Sequence, residues 1–405
     1  MTQRMWMVGR GLLSEQQERI VTLPTEANQL VMGSPGSGKT VLLLHRAEEL
    51  LRNHHIFPRQ LRVLVFTNVL RAYIGAGADA LNLPFEIIQS FYSWVFQLAE
   101  REGLPKSKAA KLEDKCKETL QALVGYCETE QSVPLLDAVL VDEGQDLPLD
   151  AYRLLRKAAR HVTVFADSTQ KLFAEGADVT DAASALGISK EAITLTENLR
   201  SSLGVARLAA QFLSATQRTS YLQGQVRHEA AGTTRIPLLL RTISEDDEWE
   251  RMAEILRAEI ARNSRVGILV VDNAMLSRAY GALTAAGVPV QRVTARDPSQ
   301  ADFNELTPKI LTVFSSKGLS FDTVLVPRIT RQHYSHVPTT AMRLLFVACT
   351  RALDWVCLST VQGSETRELR LLDELISAGH LAEQHGAARR PSFRHDYLPE
   401  EDLPF

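Results

Sequence analysis

Eight residues, Gly33-Ser34-Pro35-Gly36-Ser37-Gly38-Lys39-Thr40, constrain this chain more than any others. They fit the G-x-x-x-x-G-K-[ST] phosphate loop. Before them stands a short apolar run, Leu30-Val31-Met32. After them, Val41 to Leu51 reads as a helix. A glycine-rich turn between strand and helix lets backbone N–H groups close on a polyphosphate. Gly33, Ser34, Gly36, Ser37 and Gly38 would form that cradle. Lys39 would reach the β and γ phosphates, and the Thr40 hydroxyl would hold Mg2+.

The loop alone would also suit a small-molecule kinase, so the remaining residues must decide its use. Asp142-Glu143 follows the apolar run Ala138 to Val141, roughly 100 residues after the loop. A carboxylate at a strand end can anchor Mg2+, and its neighbour can orient or deprotonate an attacking water. Gln170 follows the next apolar run and could sense a γ phosphate. Arg200 and Arg351 are candidates to neutralise charge on a transferring phosphoryl group.

Strand and helix patterns alternate throughout, which implies an α/β fold built on parallel sheets covered on both faces. The first series uses a helix over 12–28 and strands at Leu30–Met32, Leu61–Phe66, Phe85–Gln89, Ala138–Val141, Val162–Ala166 and Ile193–Leu195. A helical stretch over 92–126 lies inside it. A second series runs from Pro237–Leu240 through Val266–Val271, Val288–Val290, Ile310–Phe314 and Val324–Val326 to Trp355–Ser359, without a phosphate loop of its own. The expected domains are 1–200, with a short helical insertion at about 92–134, and 201–364. One helix and an acidic tail follow over 365–405.

Composition excludes little. With 405 residues there is room for two cores, and the net charge of −3 announces no overall nucleic-acid field. A local basic groove would suffice for a motor. Cys116, Cys127, Cys349 and Cys357 form no C-x-x-C, so reduced thiols in a cytoplasmic protein are expected. No apolar run is long enough to span a membrane.

Taken in order, Gln16, Gly33–Thr40, Phe66-Thr67-Asn68, Asp142-Glu143-Gly144-Gln145-Asp146, Asp167–Gln170, Glu197-Asn198-Leu199-Arg200, Ser315-Ser316-Lys317-Gly318-Leu319 and Val347-Ala348-Cys349-Thr350-Arg351-Ala352 resemble the UvrD/Rep/PcrA family of superfamily 1 DNA helicases. The likeness covers roughly residues 12–360. It implies two RecA-like domains with ATP in the cleft between them, Arg351 entering from the second, Gln16 on the adenine and Gly318 beside the nucleotide. Single-stranded DNA would cross both domains. Phe66, Thr67, Asn68, Phe91, Tyr92, Phe173, Ser315, Ser316 and Lys317 resemble residues lining its path, with aromatic rings stacking on bases and hydroxyls meeting phosphates.

The departures are physical. Val41 and Leu199 stand where the family has Arg and Tyr around the adenine, Ser320 replaces a ribose-binding Glu, and Glu175 replaces a Trp. The large inserted subdomains are reduced or absent, so a partner such as a nuclease or repair subunit is expected. An alternative is an NTP-sensing regulatory subunit that hydrolyses nucleotide without unwinding DNA. Leu398-Pro399-Glu400-Glu401-Asp402-Leu403-Pro404-Phe405 resembles the acidic tip of bacterial single-stranded DNA-binding proteins, and is expected to dock on proteins that bind such tips.

Overall fold

The computed structural model describes residues 7–129, 135–167, 176–188, 192–195, 201–223, 235–295, 297, 301–337 and 339–386. Its first sheet contains β1 (Gln29–Gly33), β2 (Leu61–Val65), β3 (Ile88–Ser90), β4 (Leu136–Val141), β5 (Ala159–Ala166) and β6 (Ile193–Leu195). The order is β3-β2-β4-β5-β1-β6, and every pairing is parallel. β4 shows why these runs form inner strands: Ala138, Val139 and Leu140 are fully buried, as a strand covered on both faces requires. Burying one such Val or Leu contributes about 1.5–3 kcal/mol.

The helices of this half are α1 (Glu15–Val21), α2 (Lys39–Arg52), α3 (Asn68–Asp79), α4 (Phe91–Arg101), α5 (Leu112–Thr129), α6 (Leu149–Ala158) and α7 (Val179–Ala185). Ser14 and Gln17 form a capping box that starts α1, and Pro24 soon follows its end, so the helix is much shorter than the expected 12–28. The stretch 92–126 is two helices rather than one. The chain turns at Gly103, whose φ is 69°, and Pro105 follows within the break. Phe85–Ile87 is a 3-10 turn that leads into the short edge strand β3.

α8 (Leu203–Ala210) and α9 (Ala215–Gln223) precede the second sheet. Ser202 opens α8 and bonds to the Leu353 and Asp354 carbonyls, tying this helix to the second half. The second sheet holds β7 (Leu238–Thr242), β8 (Val266–Val270), β9 (Gln291–Arg292), β10 (Lys309–Thr312), β11 (Phe321–Val326), β12 (Ala352–Val361) and β13 (Ala382–His385). Its order is β13-β7-β12-β11-β8-β10-β9, again wholly parallel. Here α10 (Glu245–Ala261), α11 (Asn273–Ala285), α12 (Arg331–Tyr334), α13 (Ala341–Cys349) and α14 (Asp373–Ser377) complete an α/β fold built on two parallel sheets.

Two strands depart from expectation. β9 lies one residue beyond Val288–Val290. β13 falls where only a helix and polar tail were expected, because its four exposed residues carry no apolar alternation. The acidic end 398–405 lies outside the described residues. One apolar cluster runs from α2 and α3 into α13 and β12, so burial is continuous between the two halves. A second cluster covers the other face of the first sheet with α4, α5 and α6.

Candidate active site

The loop after β1 turns sharply enough to need glycine. Gly36 has φ 83° and Gly38 has φ 89°, a region costly for residues bearing a Cβ. Gly38 leads into α2 without a side-chain cap, so the first backbone N–H groups of α2 are available to an anion. The Ser34 and Ser37 hydroxyls are buried with no hydrogen-bond partner, which a phosphate oxygen would supply. Lys39 donates to the Gly33 and Ser34 carbonyls at 2.7 and 3.0 Å, with Asp167 at 3.6 Å. Its buried charge therefore sits within the cradle.

Across the sheet, the Thr40 hydroxyl donates to Asp142 Oδ2 at 2.9 Å. Asp142 Oδ1 accepts from the Glu143 N–H at 3.0 Å. Burial, and then the Glu143 charge, pushes the Asp142 carboxyl up to about 7. Burial also opposes ionisation of Glu143, but Lys317, Arg351 and Lys39 outweigh it and hold that carboxyl below its ordinary value. Glu143 has φ 55°, a left-handed conformation uncommon for a non-glycine residue and concentrated at functional sites.

The hydroxyl and carboxylate pair supplies hard oxygen donors of the kind Mg2+ takes. Among the described residues no group of three or more His, Cys, Asp or Glu could hold a metal. An ion here would draw its remaining ligands from water and phosphate.

Gln145 was not singled out by the sequence, yet it joins this site. Its amide donates to Glu143 Oε2 at 2.5 Å and accepts from the Asp167 N–H at 2.8 Å. The D-E-x-Q-D spacing was the available signal. Gln17 is a second omission. It is buried and donates to the Ser37 carbonyl at 3.1 Å, steadying the loop, whereas Gln16 lies further out on the Thr194 carbonyl at 2.9 Å.

From the other half come Lys317 and Arg351. Arg351 is buried and donates to the Val347, Leu319 and Thr350 oxygens at 3.2–3.4 Å, its charge facing Glu143 and Asp167. Gly318 has φ 78° and packs on Leu70 of α3 so closely that a Cβ would lie 2.6 Å from a methyl carbon.

The residues proposed to line a strand divide. Asn68 is exposed and Thr67 caps α3, accepting from the Leu70 N–H at 3.0 Å. Phe66 is half-buried against the core. Tyr92 is half-buried, edge-on to Phe91 at 5.2 Å. Ser315 is half-buried and receives the Thr312 hydroxyl at 3.0 Å.

Three of the residues expected along the strand path are buried in this structure. Phe91 is 1% exposed and packs in the core under α4. Ser316 is fully buried and donates to the Val313 carbonyl. Lys317 is 2% exposed and ion-paired with Asp146. Gln170, Phe173, Arg200, Leu199 and Glu175 lie outside the described residues.

Residues 13–72 match the family model of the UvrD/REP helicase N-terminal domain, and residues 309–359 match that of the UvrD-like helicase C-terminal domain. The chain is 31% identical over 100 residues to ATP-dependent DNA helicase PcrA of Bacillus subtilis strain 168, a match covering 23% of this chain and 13% of PcrA. The C-terminal domain of a possible DNA helicase from Lactobacillus plantarum WCFS1 aligns with a TM-score of 0.35 at 17% identity, over 45% of this chain and 97% of that one. Two segments of this chain are thus similar, in family order, to the N-terminal and C-terminal domains of UvrD-like helicases, and 100 of its residues are similar to part of PcrA.

Proposed function

We propose that this protein is an ATP-dependent single-stranded DNA translocase or helicase, the motor subunit of a repair or defence complex. The observation that carries this reading is the buried meeting of Lys39, Thr40, Asp142 and Glu143 with Lys317 and Arg351 of the other half. In this reading Thr40 and Asp142 would hold Mg2+, which would shield the phosphate charge. Lys39 binds the phosphates of ATP, Glu143 takes the proton of the attacking water, and Gln145 fixes the Glu143 carboxylate. Arg351 stabilises charge on the transferring phosphoryl group. Because Glu143 meets cations from both halves, the nucleotide state would bias how closely the halves approach, and that change would step the strand.

ATP turnover with and without single-stranded DNA tests the proposal. Turnover should rise with the strand and vanish in Lys39→Ala. Activity retained by Lys39→Ala would overturn the site assignment.

The burial of Phe91 and Lys317 favours one alternative. Two side chains expected on the strand path instead serve the core and the domain contact. A nucleotide-sensing regulatory subunit would hydrolyse ATP at a rate indifferent to the strand.

A further inference from the structure

Arg59, Arg62 and Arg101 line a cavity of about 210 Å3 that the nucleotide site does not use. They come from three elements: the 3-10 turn Pro58–Gln60, β2, and the last turn of α4. Leu135 and Leu136 mark this as the entry end of β4, whereas the phosphate loop and Asp142 sit at the carboxyl ends of their strands. Trp94, Gln89 and Gln97 complete the wall.

The positive charge here is only partly compensated, by Glu102, which pairs with Arg101 at 2.9 Å, and by the charge of Glu86 near Arg62. Among the described residues no acidic side chain lines the cavity. Arg59 lies over the Phe57 ring at 5.4 Å. Arg62 directs Nη1 at the Leu61, Pro58 and Arg59 carbonyls, at 2.7, 3.3 and 3.3 Å. Burial draws its guanidinium below the ordinary value, opposed only by Glu86. Arg101 holds Glu102 through Nε and Nη2, at 3.0 and 2.9 Å.

A half-buried cation served only by carbonyl dipoles is unfavourable until an anion joins it. Gln89 adds a second demand. Its amide nitrogen donates to Gln97 at 3.2 Å, while its buried Oε1 has no donor. A ligand hydroxyl would meet that acceptor.

We propose that this cavity is a second phosphate site, separate from the phosphate loop, that takes a hydroxyl-bearing phosphoryl group of the sugar-phosphate class. Guanidinium forks arriving from three elements suit a tetrahedral phosphate, whereas one fork already saturates a planar carboxylate. The volume is below the roughly 300–1,000 Å3 of drug-sized ligand pockets, which fits a sugar phosphate. Such a group comes from a free sugar phosphate or from the backbone of a nucleic-acid strand.

The test is calorimetric titration of the full chain with ribose 5-phosphate, with the phosphate loop saturated by ADP and Mg2+. Wild type should bind the probe. Arg59→Ala/Arg101→Ala, which alters two exposed side chains, should bind it at least tenfold more weakly with ADP affinity unchanged. Trp94 fluorescence should respond to the probe, and Trp94→Phe should abolish that response. Displacement by a short dT oligonucleotide assigns the site to a strand backbone, and persistence assigns it to a free sugar phosphate; the phosphate site stands in both. Failure of wild type to bind, equal affinity in the double variant, or displacement by acetate at similar concentration overturns the proposal.

Discussion

Lys317 and Asp146, 171 residues apart, form a buried ion pair that joins the loop after β10 to the segment after β4. Removing one partner takes the nearest opposite charge from the other in a dry contact, at a cost of up to about 3–5 kcal/mol. Lys317→Met and Asp146→Asn should each lower the unfolding midpoint in urea. The double variant should lose clearly less than the sum, because each single variant already removes the interaction between the two side chains. Additive losses would mean that the two side chains act independently.

Glu143→Gln should still bind Mg-ATP, because the phosphate cradle is untouched, but should turn it over at least on the order of a hundredfold more slowly. Loss of the negative charge also lets the Asp142 carboxyl fall back toward its ordinary range. Fluorescent-nucleotide binding and single-turnover hydrolysis separate these effects. Equal turnover by the two proteins would remove the assigned base.

Arg351→Ala should lower turnover on the order of a thousandfold or more, as loss of a charge-neutralising arginine does. Its partners include backbone and hydroxyl oxygens, together with the field of Glu143 and Asp167. Arg351→Lys should rescue little, since an ammonium cannot reproduce the fork. Steady-state ATPase assays decide this, and a loss of only a few-fold would exclude the role.

Base selectivity should be weak. Val41 is 2% exposed and belongs to the core, so it offers an adenine neither a ring nor a cation. GTP should support turnover within about tenfold of ATP, roughly 1.4 kcal/mol. A strict preference for ATP would place specificity on another group, with Gln16 the first to test by Gln16→Ala.

Acid should weaken the second half through Glu259, which is 1% exposed. Burial opposes its ionisation, but Arg235, Thr323 and Arg262 prevail and hold the carboxyl at about 2. A folded value below the unfolded one gives stability that is present above about pH 4.5 and lost as pH falls toward 2. The stability gap between wild type and Glu259→Gln should therefore be large at pH 6 and shrink by pH 3 in thermal unfolding. A constant gap would mean that Glu259 is not ionised in the fold.

The phosphate loop and the acids after β4 were legible because a backbone turn and a strand end impose residue types directly. Gln145 was legible only as part of a spacing, since its value lies in touching both Glu143 and Asp167. The burial of Phe91 and Lys317 was not legible, for the opposite reason. An aromatic ring or a lysine at a matching position looks the same in sequence whether it faces solvent or a neighbouring element. Only packing assigns Phe91 to the core under α4 and Lys317 to Asp146. β13 was invisible because an exposed edge strand needs no apolar alternation.

That edge strand guards the sheet. β7 pairs along one side with β12, and its other side would be a row of open amide and carbonyl groups ready to template a foreign strand. Ala382–His385 occupies that row with a short, polar, solvent-facing segment, pinned where Arg241 grips Glu383 at 2.5 Å. Four exposed residues thus make the sheet's border on this side short and solvent-facing, a weaker template for a foreign strand than the longer β7 would be.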